Sequence, residues 1–214
     1  MVLTTPAFSA LQRLSAEDTS LFYRFGFGQR IESPYRCIHH AFEHHAAQHP
    51  DAIAVEHLGS TITYSELDGR ANALAHRLRS MGVKPGARVC LLVQRSIPMV
   101  VGIVAILKAG AAYVPLDGGI VTDSTLAFVL KNSQASLVLA LADYMHRVSD
   151  LPLINLNDVM ASSDSTTAKP QDLSSPDDSA YIIYTSGRHD SISDPVACAE
   201  FIRQALLAPP RAWK

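Results

Sequence analysis

Between Val89 and Ala140, short apolar runs alternate with helix-like segments, and this alternation constrains the fold more than any other feature of the chain. Val89-Cys90-Leu91-Leu92-Val93 is continuously apolar and rich in strand formers, the pattern of a strand buried on both faces of a parallel sheet. Ser96 is placed to cap a following helix, with Pro98 in the first turn, where a missing N–H costs nothing. That helix is apolar on nearly all sides from Met99 to Leu107, and Gly110 ends it. Ala112–Leu116 and Ser136–Ala140 read as two further strands, with a helix between them over Thr122–Asn132. Strand, helix and strand in regular succession predict an α/β fold with a mixed, largely parallel sheet flanked by helices. Leu151–Leu156 is a weaker strand candidate because of Pro152, and Ala180–Thr185 is a clear one. The small, polar stretch 161–178 between these last two reads as a surface loop or linker.

The N-terminal side is less regular. Residues 1–35 carry weak periodicity, with Phe22, Tyr23, Phe25 and Phe27 close together. They form either an arm for another surface or a lead-in docked on its own domain. Cys37, Ile38, Ala41, Phe42, His45 and Ala46 fall at helical spacing up to Pro50. Ile53–His57 and Thr61–Tyr64 flank Leu58-Gly59-Ser60 as a β-hairpin. Ser65, with Asp68 three residues on, reads as a helix start, and Leu67, Ala71, Leu74, Ala75 and Leu78 form one apolar stripe ending near Gly82. The predicted organisation is a lead-in segment over 1–35, an α/β unit over 36–187 and a tail over 188–214.

Composition narrows the function classes. Hydrophobic residues make up 48% of the 214, enough to build a core. Eighteen Lys and Arg against twenty Asp and Glu leave no basic field for nucleic acid. Cys37, Cys90 and Cys198 are too far apart for a disulfide scaffold or a CxxC zinc module. The most apolar run, Met99–Leu107, is far short of the ~20 residues that span a bilayer, and Met1–Leu14 lacks a secretory pattern. A cytoplasmic protein without a membrane anchor is expected.

Two segments carry candidate chemistry. Five of the nine histidines lie between His39 and His49, and His40/His44 and His45/His49 are both i, i+4 pairs. At 100° per residue the two pairs point about 140° apart, so they cannot form one four-ligand site. A histidine-rich solvated helix face is expected, and no metal ligand is assigned. The second segment is Tyr181-Ile182-Ile183-Tyr184-Thr185-Ser186-Gly187, a strand running into a small hydroxyl-bearing turn. Backbone N–H groups and hydroxyls in such a turn can cradle phosphate, although many strands ending this way form only a turn.

Taken together, three segments resemble the core motifs of nonribosomal peptide synthetase adenylation domains, within the adenylate-forming AMP-dependent synthetase/ligase family. Thr63-Tyr64-Ser65-Glu66-Leu67 with Ala71-Asn72-Ala73-Leu74-Ala75 resembles the first motif. Leu107-Lys108-Ala109-Gly110-Ala111-Ala112-Tyr113-Val114-Pro115-Leu116-Asp117 resembles the second, and Tyr181–Gly187 the opening of the third. The lead-in from Ala41 to Val55 fits as well, so the resemblance spans about residues 36–187. It implies the first α/β part of the family's large N-terminal domain. It also implies ATP-dependent activation of an amino or other carboxylic acid as an acyl-adenylate for secondary-metabolite peptide biosynthesis, with ATP and Mg²⁺ as cofactors and other synthetase domains or polypeptides as partners. Thr185, Ser186 and Gly187 would form the first half of the ATP phosphate loop. The second motif, almost wholly apolar, reads as core architecture rather than ligand contact.

The resemblance stops inside the third motif. The family continues with a second Thr-Gly pair and Pro-Lys-Gly, whereas Gly187 is followed here by Arg188-His189-Asp190-Ser191. Without those glycines the backbone cannot approach phosphate closely, and without the lysine a facing charge is lost. Asp117-Gly118-Gly119 also departs from the family's common Asp-Pro. The family's acid-selecting, ribose-binding and adenylation-lysine motifs have no counterpart in these 214 residues, so no catalytic residue is assigned. The expectation is a truncated adenylation domain that is inactive alone. The alternative is a non-catalytic interaction protein or one half of a split enzyme, since a cut sheet exposes apolar surface.

Overall fold

The computed structural model describes residues 14–25, 33–163, 168–184 and 196–197. Met1–Glu32 and Ser33–Lys214 are two compact units. In the first, α1 (Ala16–Phe25) forms where the sequence showed only weak periodicity. Its start is nonetheless legible, because the Ser15 hydroxyl accepts from the Asp18 N–H at 3.1 Å, a side-chain cap over the first turn.

The second unit begins with α2 (Ile38–Gln48) and the antiparallel hairpin β1 (Ile53–His57) and β2 (Ser60–Thr63). The turn is tighter than the sequence suggested. Ser60 pairs with His57, and only Leu58 and Gly59 remain in the loop, at φ 50° and 79°. Positive φ at both positions is the geometry that matches strand twist in two-residue hairpins. Helix α3 (Tyr64–Ser80) follows at once, so its cap is Thr63 rather than Ser65. Thr63 Oγ1 accepts from the Glu66 N–H, and the Glu66 carboxylate accepts from the Thr63 N–H, closing a capping box two residues earlier than predicted.

The main sheet is built from β3 (Arg88–Val93), β4 (Ala112–Asp117), β5 (Leu137–Ala140), β6 (Leu153–Asn155), β7 (Ser179–Tyr181) and β8 (Val196–Ala197), in the order β6-β5-β3-β4-β7-β8. All pairings are parallel except β7 with β8. Helix α4 (Ile97–Lys108) joins β3 to β4, and α5 (Asp123–Ser133) joins β4 to β5. The first connection steps one way along the sheet and the second steps back across β3. Right-handed crossovers in opposite directions must lie on opposite faces.

The core obeys this. Val89, Leu91, Leu137, Leu139 and Ile154 pack with α3, α4 and α6 (Leu156–Ala161) on one face, while Cys90, Leu92, Val114, Val138 and Ala140 pack with Leu126 and Val129 of α5 on the other. Helix α4 presses close enough that a Cβ at Gly102 would sit 2.9 Å from Leu91 Cδ1. The predicted helix signals are met, since the Ser96 hydroxyl caps α4, Pro98 occupies its first turn and Gly110 takes φ 84° beyond its end.

Strand β7 is shorter than the predicted Ala180–Thr185. The Ile182 N–H donates to the Tyr113 carbonyl at 3.0 Å, and the next rung would be donated by residue 115. That residue is Pro115, which has no N–H, so the ladder stops. Among the described residues no helix is long and apolar enough to cross a membrane.

Candidate functional site

Open parallel sheets bind ligands beyond the carboxyl ends of neighbouring strands whose connections leave on opposite faces. Here the connection leaving β3, through α4, lies on the opposite face from those leaving its two neighbours, β4 through α5 and β5 through residues 141–152, so the carboxyl ends of these three strands form the candidate rim. The rim is tightly organised. The Gly118 N–H donates to the Val93 carbonyl at 2.9 Å, and the Gly119 N–H donates to Asp117 Oδ1 at 2.9 Å. Arg147, from the 3₁₀ helix Ala142–Arg147, donates to the carbonyls of Gly118 (2.7 Å) and Val121 (2.6 Å) and to Asp123 Oδ1 (2.7 Å). The departure from Asp-Pro now has a physical reason. A side chain at Gly118 would begin 2.3 Å from the Tyr144 ring, and a proline there would forfeit the bond to Val93.

The predicted phosphate turn follows β7, which runs parallel beside β4. Ile182 is buried in the α5-side core. The Tyr184 hydroxyl donates to Asn132 Oδ1 at 2.7 Å, and its ring meets Phe128 edge-on at 6.3 Å. Partial burial raises the Tyr184 pKa above the ordinary phenol value, so the hydroxyl stays a neutral donor. The approach to the turn is therefore held against α5. Thr185, Ser186 and Gly187 themselves lie outside the described residues, as does the tail reading except at Val196–Ala197.

A second polar cluster lies where α2, α3 and α4 meet the segment 168–174. The second motif is mostly core, with Leu107, Ala109, Ala111, Ala112 and Val114 buried, but Lys108 is buried too, at 2% exposure. Its ammonium donates to Glu43 Oε1 and lies 2.9 Å from Asp68 Oδ1. Burial works against the Glu43 carboxylate, yet the hydrogen bond and charge of Lys108 outweigh it and hold Glu43 below the usual range. The sequence signal for this pairing was a lone lysine between an apolar helix and an apolar strand.

The histidines do not sort as their i, i+4 spacing suggested. His39 and His40 both face Asp172, with Nε2 3.7 Å from Oδ1 and 2.9 Å from Oδ2 respectively. Burial lowers the His39 pKa to about 4, so at neutral pH its contact with Asp172 is not an ion pair. Burial also opposes the charge on Asp172, but the Ser174 N–H and then His40 and His39 keep its carboxyl below the usual range. A cavity of about 110 Å³ opens here, lined by His39, His40, Glu43, Lys108, Lys169, Pro170 and Asp172.

Known proteins agree with this architecture. Residues 42–188 match the AMP-binding enzyme family, a stretch that stops one residue past Gly187. Adenylate-forming reductase 03009 of Coprinopsis cinerea is 49% identical over 181 residues, covering 83% of this chain and 18% of that protein. Malpinin synthetase of Mortierella alpina is 45% identical over 175 residues, covering 80% of this chain and 2% of that protein. The solved nonribosomal peptide synthetase FmoA3 with AMPPNP bound superimposes with a TM-score of 0.71 at 27% identity, covering 80% of this chain and 18% of that one. The chain thus spans less than a fifth of the length of each of these relatives. Matched over most of its length, and folded like the N-terminal subdomain of adenylate-forming enzymes, the chain belongs to the AMP-binding enzyme family.

Proposed function

We propose that the chain supplies the opening α/β part of an acid-activating domain and that these 214 residues do not carry out the reaction by themselves. In that reaction the carboxylate of an amino or other carboxylic acid attacks the α-phosphate of ATP, giving an acyl-adenylate and pyrophosphate, with Mg²⁺ neutralising the phosphates. The protein's part in such chemistry is positioning and charge stabilisation. The observation that carries the reading is β7, a strand parallel to β4 that precedes Thr185-Ser186-Gly187 by three residues in the sequence. Strand-then-turn is the order in which backbone donors are presented to phosphate. Arg188-His189-Asp190 then replaces the glycines and lysine that would complete the enclosure.

One relative is an adenylate-forming reductase, and the solved synthetase FmoA3 also binds α-methyl-L-serine-AMP, so the proposal concerns formation of an acyl-adenylate. Membership of a secondary-metabolite assembly and a cytoplasmic location belong to the same proposal. The test is ATP–pyrophosphate exchange with the purified chain. No acid-dependent exchange is expected, and weak binding is expected in calorimetry with ATP and Mg²⁺. Robust amino-acid-dependent exchange by the chain alone would overturn its inactivity. Exchange that appears only on mixing with a polypeptide carrying the remaining motifs would support the split-enzyme form.

A further inference from the structure

We propose that His39, His40 and Asp172 form a site for a divalent transition-metal ion of the zinc type, which clips the segment 168–174 onto α2. One ligand atom from each of the three lies within 4.8 Å of the other two. In a tetrahedral zinc site, bonds of about 2.0–2.1 Å put neighbouring ligand atoms roughly 3.4 Å apart. His39 Nε2 lies 3.7 Å from Asp172 Oδ1 and His40 Nε2 lies 2.9 Å from Oδ2, on either side of that value and on the two oxygens of one carboxylate. Two imidazoles and a carboxylate are borderline ligands that suit zinc over magnesium or calcium.

Three further features favour a cation. His39 is only 4% exposed, and its ring is held by packing with Nε2 turned toward Asp172. The nearby lysines are engaged by other carboxylates, because Lys108 is taken up by Glu43 and Asp68, while Lys169 lies 3.6 Å from Glu43 Oε2; with Arg79, whose charge also acts on Asp172, the cluster is close to neutral. Asp172 remains without a lysine or arginine partner among the described ion pairs. The adjoining cavity of about 110 Å³ has room for water in the fourth position. Three protein ligands plus water is the open arrangement of a zinc site.

The clip joins residues 132 positions apart in sequence. Loops closed over long stretches gain most from such a cross-link. It would fix the end of the polar stretch that leads to β7.

The test uses the full chain, stripped with EDTA and titrated with Zn²⁺ against a chromogenic chelator, then loaded with Co²⁺ for its visible spectrum. One equivalent of Zn²⁺ is expected to bind and to raise the melting temperature. Cobalt is expected to give the intense bands of a four-coordinate ion. His40→Gln and Asp172→Asn should each weaken Zn²⁺ binding by about tenfold or more, while His45→Gln/His49→Gln should leave it unchanged. Binding that survives His40→Gln and Asp172→Asn, or that disappears in the His45/His49 variant, would assign the metal to the exposed pair and overturn the proposal. Should a variant fail to fold, the wild-type cobalt spectrum decides, because the bands of a six-coordinate aquo ion overturn the site without reference to any variant.

Discussion

The ammonium of Lys108, at the end of α4, donates a hydrogen bond to the carboxylate of Glu43 on α2, 65 residues away. Asp68 of α3 shares the same ammonium, so one charge joins three helices. Lys108→Ala is expected to lower the unfolding free energy by about 3 kcal/mol, because it strands two carboxylates that are only 18% and 16% exposed. Lys108→Met combined with Glu43→Gln and Asp68→Asn removes all the charges and should cost less than Lys108→Ala alone. Urea unfolding of the two variants checks the order, and a triple variant less stable than the single one would contradict it.

Gly118 sits under the Tyr144 ring, where a Cβ would fall 2.3 Å from Cδ2. Gly118→Ala is expected to destabilise by about 2 kcal/mol through overpacking. Tyr144→Ala should recover part of that loss in the double variant, since the two side chains compete for one space. Additive effects in a double-mutant cycle would place the strain elsewhere.

The helix start at Thr63 makes a graded prediction. Thr63→Ala is expected to cost about 1 kcal/mol, whereas Ser65→Ala should cost little. The Thr63 N–H and hydroxyl hold the Glu66 carboxyl below its ordinary value of 4.5. A carboxyl with a depressed folded pKa adds stability that is present above the unfolded value and is lost as pH falls through the folded one. The gap between wild type and Glu66→Gln should therefore be full at pH 7 and shrink below pH 4.5, as read by denaturation at several pH values.

Burial pushes the Cys90 thiol up to about 12. At pH 8 it holds a negligible fraction of thiolate, the form that reacts. Peptide mass spectrometry after iodoacetamide should find Cys90 unmodified in the native protein and fully alkylated in guanidinium. Rapid native labelling would show that β3 opens readily.

The sheet was legible where local chemistry decides local structure. The apolar run Val89–Val93, the Ser96 cap with Pro98 and the stop at Gly110 each act within one turn or strand, and each stands where its residues predict. Lys108 looks in sequence like one member of an apolar motif, because its partners lie on two other helices. Asp172 looks in sequence like part of a linker, because nothing near it announces His39 and His40. The length of β7 is hidden in the sequence for a similar reason, since the proline that ends it belongs to its neighbour, β4. Periodicity reports which face a residue shows, and it is silent on which distant residue meets it.

The pairing of Tyr113 with Tyr181 joins positions farther apart in the chain than any other parallel pairing of the main sheet. Strands β3 to β6 draw on nearer neighbours and can assemble as soon as they leave the ribosome, whereas β7 must wait for its residues to be made and for a long loop to close. Strand β7, which lies between β4 and β8, is thus a late addition to a platform already formed. In hydrogen exchange its amides should open before those of β3, which would make this strand the most adjustable part of the sheet.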